Sequence, residues 1–241
     1  MKVQIFSDLH LEHVNNIPKI KPLCEIIILG GDIGNISIST YEKFIEYCSK
    51  NWTYVLVILG NHEFYNLDYD DALLEYTKLF EKYENIILLN NSSIIINDYM
   101  FIGSIFWTTT HPTIQYVIND FNQIQNFTYE KYNELHQYDN KFLTNFLKDY
   151  KLNKNLVVIT HFPPTRKNVS DPKYKSQSSI ITNYFANELD NKLIKKASTW
   201  IYGHTHWSNE FNINSTKMIS NQMGYFDEIN KNFNSSGLYE I

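Results

Sequence analysis

The sequence predicts an α/β fold with strands covered on both faces, and three observations carry the prediction. Short, wholly apolar, β-branched runs recur along the chain, stretches of helical period separate them in the first half, and each run breaks off into Gly, Asp, Asn or His. Runs that are apolar at every position, rather than at alternate ones, suit a sheet buried on both sides.

Strands are expected at VQIF (3–6), IIIL (26–29), YVLVIL (54–59), IILL (86–89), LVVIT (156–160) and WIY (200–202). A helix from Ser39 to Lys50 opens with Ser39 and Glu42 at capping-box spacing. A second, from Tyr69 to Tyr83, sets Leu73, Tyr76, Phe80 and Tyr83 on one face. SIIINDYMFIG reads as a hairpin turning at Asn97 and Asp98. The polar stretch from Thr128 to Lys151 interrupts the alternation and is expected as a helical, cap-like insert over one end of the sheet. From Thr216 onward short strands return.

Size and composition narrow the function. The 241 residues are 43% apolar, enough for one sizeable core, so a single domain over 1–241 is expected. The net charge is −5 without a basic block, which argues against a nucleic-acid surface. Cys24 and Cys48 show neither metal-like nor redox-like spacing, and a reducing compartment is expected, with Cys48 in the core. The N-terminal apolar stretch is too short for a signal peptide, and no run approaches the about 18 apolar residues of a membrane span, so a cytoplasmic protein with no membrane partner is expected.

The chemistry lies at the carboxyl end of each strand. VQIF leads to Asp8 and His10, IIIL to Asp32, YVLVIL to Asn61, His62 and Glu63, LVVIT ends at His161, and WIY leads to His204 and His206. Strand carboxyl ends in α/β sheets converge on one crevice, so five of them would deliver these side chains to one place. Imidazole with carboxylate or amide oxygen, and no thiolate, suits manganese, iron or zinc. Seven candidates exceed one coordination sphere, whereas two ions sharing a carboxylate would use them all. Glycines at 30, 31, 60 and 203 would allow sharp turns and close approach. His13, His111 and His136, away from such turns, read as ordinary polar residues.

In DLH (8–10), GGD (30–32), GNHE (60–63), TH (160–161) and GHTH (203–206), the sequence resembles the calcineurin-like metallophosphoesterases, motif by motif and in the family's order. The resemblance implies a four-layer α/β/β/α sandwich and a dinuclear hydrolase of phosphate mono- or diesters. Manganese is the first choice of metal, with iron, zinc, nickel or magnesium as alternatives. Asp8, His10 and His206 would hold one ion, Asn61, His161 and His204 the other, and Asp32 would bridge them. A metal-bridging hydroxide would attack phosphorus while His62 acts as general acid, with Glu63 as the expected hydrogen-bond partner of His62.

Further pieces resemble a subgroup of small cytosolic members: Trp107 with Thr108, NDF (119–121), FPPTR (162–166) and NQMGY (221–225). Arg166, the sole arginine, is read as a phosphate clamp at the mouth of the site. Phe64, Tyr65, Trp107, Phe162, Trp207 and Tyr225 flank the motifs, and most are expected to be packing residues. The implied partner is a small phosphate ester, a nucleotide among the candidates. Two rival readings are a non-catalytic metal-binding scaffold or interaction module on the same fold, and a nuclease, the latter disfavoured by the charge.

Overall fold

The computed structural model describes residues 1–151, 155–174, 179–225, 228 and 230–241. In chain order the strands are β1 (Lys2–Phe6), β2 (Ile26–Gly30), β3 (Tyr54–Ile58), β4 (Ile86–Leu88), β5 (Ser92–Ile96), β6 (Tyr99–Ser104), β7 (Asn155–Thr160), β8 (Thr199–Tyr202), β9 (Asn209–Ile213), β10 (Thr216–Ser220) and β11 (Leu238–Glu240). The helices are α1 (Ser39–Asn51), α2 (Tyr69–Phe80), α3 (Asp120–Gln123), α4 (Tyr129–Asp149), α5 (Ser179–Phe185) and α6 (Asn191–Ile194).

Two sheets result. One runs β11-β1-β2-β3-β4, the other β5-β6-β7-β8-β10-β9. Strands β1 to β4 are parallel, with Ile27 beside Val55, and β6, β7, β8 and β10 are parallel in the second sheet. The pairings at β11, β5 and β9 are antiparallel.

Side-chain parity turns these sheets into four layers. Val3, Ile5, Ile26, Ile28, Leu56 and Ile58 pack against Phe101, Val157, Ile159, Ile201 and Ile219 between the sheets. Their neighbours of opposite parity, such as Ile27, Leu29, Val55 and Val57, pack against Tyr41, Phe44, Cys48 and Tyr76 of α1 and α2. On the far side Met100, Ile102, Leu156, Val158 and Trp200 meet Leu143 and Leu147 of α4 and Ile194 of α6. Alternate residues of one strand thus feed two different cores, which is why the runs are apolar throughout. The α/β/β/α sandwich is as expected.

Some local expectations need correction. Ser39 does not cap α1: Ile38 stands at that position with no side-chain cap, and Glu42 instead pairs with Lys82 at 2.8 Å. The second helix ends at Phe80, short of Tyr83, and its cap is Asp68, which accepts from the Asp70 N–H. The stretch 128–151 is helical and begins as read, with Thr128 accepting from the Lys131 N–H. Through Leu143 and Leu147 its C-terminal half packs on the outer face of the second sheet as a layer of the fold, while Tyr132 in its N-terminal half meets Thr108, beyond the carboxyl end of β6. Strand β9 gave no apolar signal because it is an edge strand whose residues are exposed or half-buried in alternation. The hairpin turns where expected, with Asn97 at a positive φ of 54°.

Candidate metal centre

All seven proposed ligands arrive at one place, and the backbone is bent to put them there. Asp8, His10, Asp32, His204 and His206 have φ of 54°, 46°, 50°, 75° and 50°, left-handed values uncommon outside glycine. Each costs of order 1–3 kcal/mol, and such strain clusters at functional sites. Two glycines leave the room needed. A Cβ on Gly60 would stand 2.2 Å from Asp32 Oδ1, and one on Gly203 would stand 2.3 Å from the Ser7 hydroxyl oxygen and 2.8 Å from Asp8 Oδ2.

The ligand atoms fall into overlapping groups. Asp8, His10 and His206 form one, Asp32, His161 and His204 a second, and His10, Asp32 and His62 a third. Asp32 therefore belongs to two of them. The Asn61 amide joins the second group, its Oδ1 lying 3.1 Å from His161 Nε2. Six of the seven proposed ligands are buried, and His206 is partly buried.

The hydrogen bonds dispose these atoms so that they could hold a cation. Nδ1 of His10 meets Glu12 at 2.9 Å and Nδ1 of His206 meets Glu228, so both rings carry their proton on Nδ1 and turn bare Nε2 lone pairs inward. Those two Nε2 atoms lie only 3.0 Å apart. Nδ1 of His161 donates to the Gly30 carbonyl at 3.0 Å, and its Nε2 is aimed at Asn61 Oδ1 and, at 3.4 Å, at Asp32 Oδ2. Both ring nitrogens of His204 are buried without any hydrogen-bond partner. Lone pairs converging on lone pairs, and orphaned buried nitrogens, are costly arrangements unless positive charge sits among them. The donor set accordingly fits divalent ions of the imidazole- and oxygen-binding kind.

Electrostatics separates the rings: against burial, the Asp32 and Asp8 carboxylates push His161 up to about 9 and the Glu228 and Asp8 carboxylates raise His206, so in the absence of other positive charge these two rings hold a proton. Burial and the neighbouring His161 hold the His204 pKa well below the ordinary imidazole value, so that ring is neutral. Burial opposes a proton on His62, but the Asp32 and Glu12 carboxylates outweigh it and push that pKa up to about 9.

Glu63 is where the expectation fails. It does not meet His62. It is fully buried, and its two oxygens accept from the backbone N–H groups of Asp32 (2.8 Å), Ile33 (2.8 Å), Gly34 (3.4 Å) and Gly60 (2.7 Å). The partner of His62 is Glu12, whose Oε1 lies 3.1 Å from His62 Nδ1, while the Tyr225 hydroxyl lies 3.0 Å from Nε2. A glutamate immediately after a histidine on a tight turn points away from it, toward the loop it must tie down.

Three more carboxylates matter here that the motifs did not mark. Glu12 contacts His10 and His62 together. Asp120, in the NDF stretch, is fully buried and accepts from Asn61 Nδ2 at 2.9 Å, Tyr65 at 2.8 Å and Tyr184 at 2.9 Å, which fixes Asn61 with its oxygen toward the centre. Glu228 orients His206. Asp120 lies in the NDF stretch that the sequence already singled out and Glu12 two residues after His10, whereas Glu228 carried no local signal. Tyr225 reaches the site because its segment runs along the end of β1, with Met223 and Gly224 donating to the Ser7 and Asp8 carbonyls.

Arg166 lines the cavity at the centre, beside Glu188 at 3.3 Å, with its Nε–H unpartnered. Tyr65 and Tyr225 also line it, whereas Phe64, Trp107 and Phe162 are core residues. The other three histidines lie outside the groups: His111 caps a turn through the Thr113 N–H, His136 meets the Trp107 carbonyl, and His13 is about half-exposed. No helix among the described residues is long and apolar enough to cross a membrane.

Residues 1–208 match the family model of the calcineurin-like phosphoesterases. An uncharacterized protein of Acanthamoeba polyphaga mimivirus is 31% identical over 269 aligned positions, covering 98% of this chain and 95% of that one. Among solved structures, the phosphopantetheinyl hydrolase of Mycobacterium tuberculosis superposes with a TM-score of 0.77 at 12% identity, covering 100% of this chain and 95% of that one. A putative 5'-nucleotidase of Staphylococcus aureus gives 0.53 at 16% identity, covering 92% of this chain and 49% of that one. At such identities these two likenesses are likenesses of fold.

Proposed function

The chain belongs to the calcineurin-like phosphoesterase family, and from that premise we propose that this phosphoesterase is a dinuclear hydrolase of small phosphate esters, acting as one domain in the cytosol. Asp8, His10 and His206 hold one ion, Asn61, His161 and His204 the other, and Asp32 serves both. Manganese is the first choice, with iron, zinc, nickel and magnesium compatible with the same donors. The observation that carries the reading is the convergence of imidazole nitrogens and buried carboxylate and amide oxygens on common points.

When bound, divalent ions lower the pKa of water and polarise phosphoryl oxygens. The chain's own residues do the rest. Glu12 holds the Nδ1 side of His62, so the imidazole presents Nε2 beside the Tyr225 hydroxyl at the wall of the cavity. From there His62 gives a proton to the leaving oxygen. Arg166 offers its unpartnered Nε–H to a phosphate oxygen. Asp120, Glu228 and Glu63 keep Asn61, His206 and the Asp32 turn in position.

The test is leaving-group dependence in the metal-loaded protein. His62→Ala should lower kcat by about 10²- to 10⁴-fold for alkyl phosphates, the range of general acid catalysis, and far less for 4-nitrophenyl phosphate, whose leaving group needs no proton. Equal losses on both would remove His62 as the acid.

A further inference from the structure

The cavity at the centre is larger than a phosphoryl group needs, and the surplus is apolar. It encloses about 420 Å³, within the range of about 300–1,000 Å³ that accepts a drug-sized organic molecule. Beside the ligand residues it is lined by Val117 and Ile118, from the segment before α3, and by Ile181 and Phe185 of α5. This wall begins at the centre itself, for the Phe185 ring lies 5.3 Å from the His204 ring and Tyr184 lies 5.2 Å from it. Val117 is 56% exposed, so this side of the cavity is open to an incoming molecule.

Charge narrows what can fill it. Among the described lining residues Arg166 is the only lysine or arginine, and it already meets Glu188. Of the two carboxylates that line the cavity among the described residues, Asp32 belongs to the ligand groups and Glu228 is bound to His206. A second or third phosphate beyond the one at the ions would enter a largely apolar space where the described lining residues offer no spare lysine or arginine, and burying charge without a partner is costly.

Resting on the phosphate-ester reading above, we infer that the substrate carries a single phosphoryl group esterified to an uncharged leaving group with an apolar stretch, seated against Val117, Ile118, Ile181 and Phe185. Nucleoside di- and triphosphates are thereby excluded as preferred substrates. Specificity lies in this wall, and the metal groups supply the reaction common to all esters.

Binding and turnover test it separately. Calorimetry of the manganese-loaded protein with a series from methyl- to octylphosphonate, which cannot be hydrolysed, should show Kd falling about fourfold for each methylene buried. Val117→Asn, which adds polarity without charge, should cut the octyl-to-methyl affinity ratio at least tenfold. In turnover, kcat/KM should rise along the alkyl phosphates, whose alcohols share nearly one leaving-group pKa, and octyl phosphate should exceed ADP. A flat series in binding, or ADP turned over faster than octyl phosphate, overturns the inference. If 4-nitrophenyl phosphate is hydrolysed while chain length changes nothing, only the subsite falls. If no ester is hydrolysed yet binding steepens with chain length, the subsite stands and the hydrolytic reading falls.

Discussion

Replacing Glu63 with glutamine removes one atom's charge and leaves the side chain's shape intact, so it isolates what the carboxylate does. In the native chain Oε1 accepts from Ile33 and Gly34, and Oε2 from Asp32 and Gly60. Burial, with the nearby Asp32 carboxylate, raises the Glu63 pKa to about 8 against the pull of His161 and the N–H groups, so the comparison is made above that pH, where the carboxylate is charged and each oxygen accepts from two N–H groups. An amide must turn its NH₂ toward one of these pairs, so two buried backbone donors lose their acceptor and face further donors. At about 1–3 kcal/mol for each unsatisfied group, the loss is roughly 2–6 kcal/mol, a large share of the about 5–15 kcal/mol that holds a typical domain folded. For a chain of this size that is a fall in melting temperature of roughly 5–20 °C. The assay is thermal and urea denaturation of both proteins in chelator, so that ion binding does not enter the comparison. A change below about 0.5 kcal/mol would refute the argument, and a full-strength fold with a lost leaving-group dependence would return Glu63 to His62.

Three further outcomes are expected. Asp120→Asn leaves one acceptor for three donors, frees Asn61 to turn its NH₂ inward, and should weaken ion binding at one of two sites by about 10- to 100-fold; two unchanged affinities in a metal titration count against it. Stripping divalent ions with a chelator should lower the melting temperature, and returning manganese should raise it in proportion to the logarithm of its concentration. Indifference to both would refute the cation reading of the facing imidazoles. Burial raises Asp139 to about 6, against about 4 for a free carboxyl, so its contribution to stability is full below about pH 4 and is lost as pH rises through 6, up to about 3 kcal/mol in all. Asp139→Asn should remove that part of the slope in urea titrations between pH 4 and 7, and an unchanged slope disproves it.

How far the sequence was legible depends on where information sits. Strands β1, β2, β3, β7 and β8 could be read because residues of both parities are buried, and the ligands because they stand directly after them. The layer order is also implicit in that parity, since Ile26 and Ile27 feed different cores. Strand β9 could not be read, since an edge strand at the surface needs no apolar residues. Nor could the pairings of the supporting carboxylates. Asp120 meets Asn61 across 59 positions and Glu228 meets His206 across 22, and no local pattern marks which distant residue a polar group will meet. The misassigned pairs, Glu63 with His62 and Ser39 with Glu42, share a cause. Proximity in sequence suggested a partner, and spacing does not reveal backbone direction, which decides where a side chain points.

The centre also acts as a clasp. Asp8, Asp32 and Asn61 hang from the first sheet, while His161, His204 and His206 hang from the second, and the facing nitrogens of His10 and His206 are 196 residues apart in sequence. An ion held between them closes a loop spanning most of the chain, as a covalent cross-link would, and restricts the unfolded state accordingly. It also sets an order on the ribosome. Strands β1 to β4 can pair early, while the first sheet still waits for β11, and the proposed ion sites stay incomplete until the last two histidines emerge, so metal uptake reports that β8 has been made.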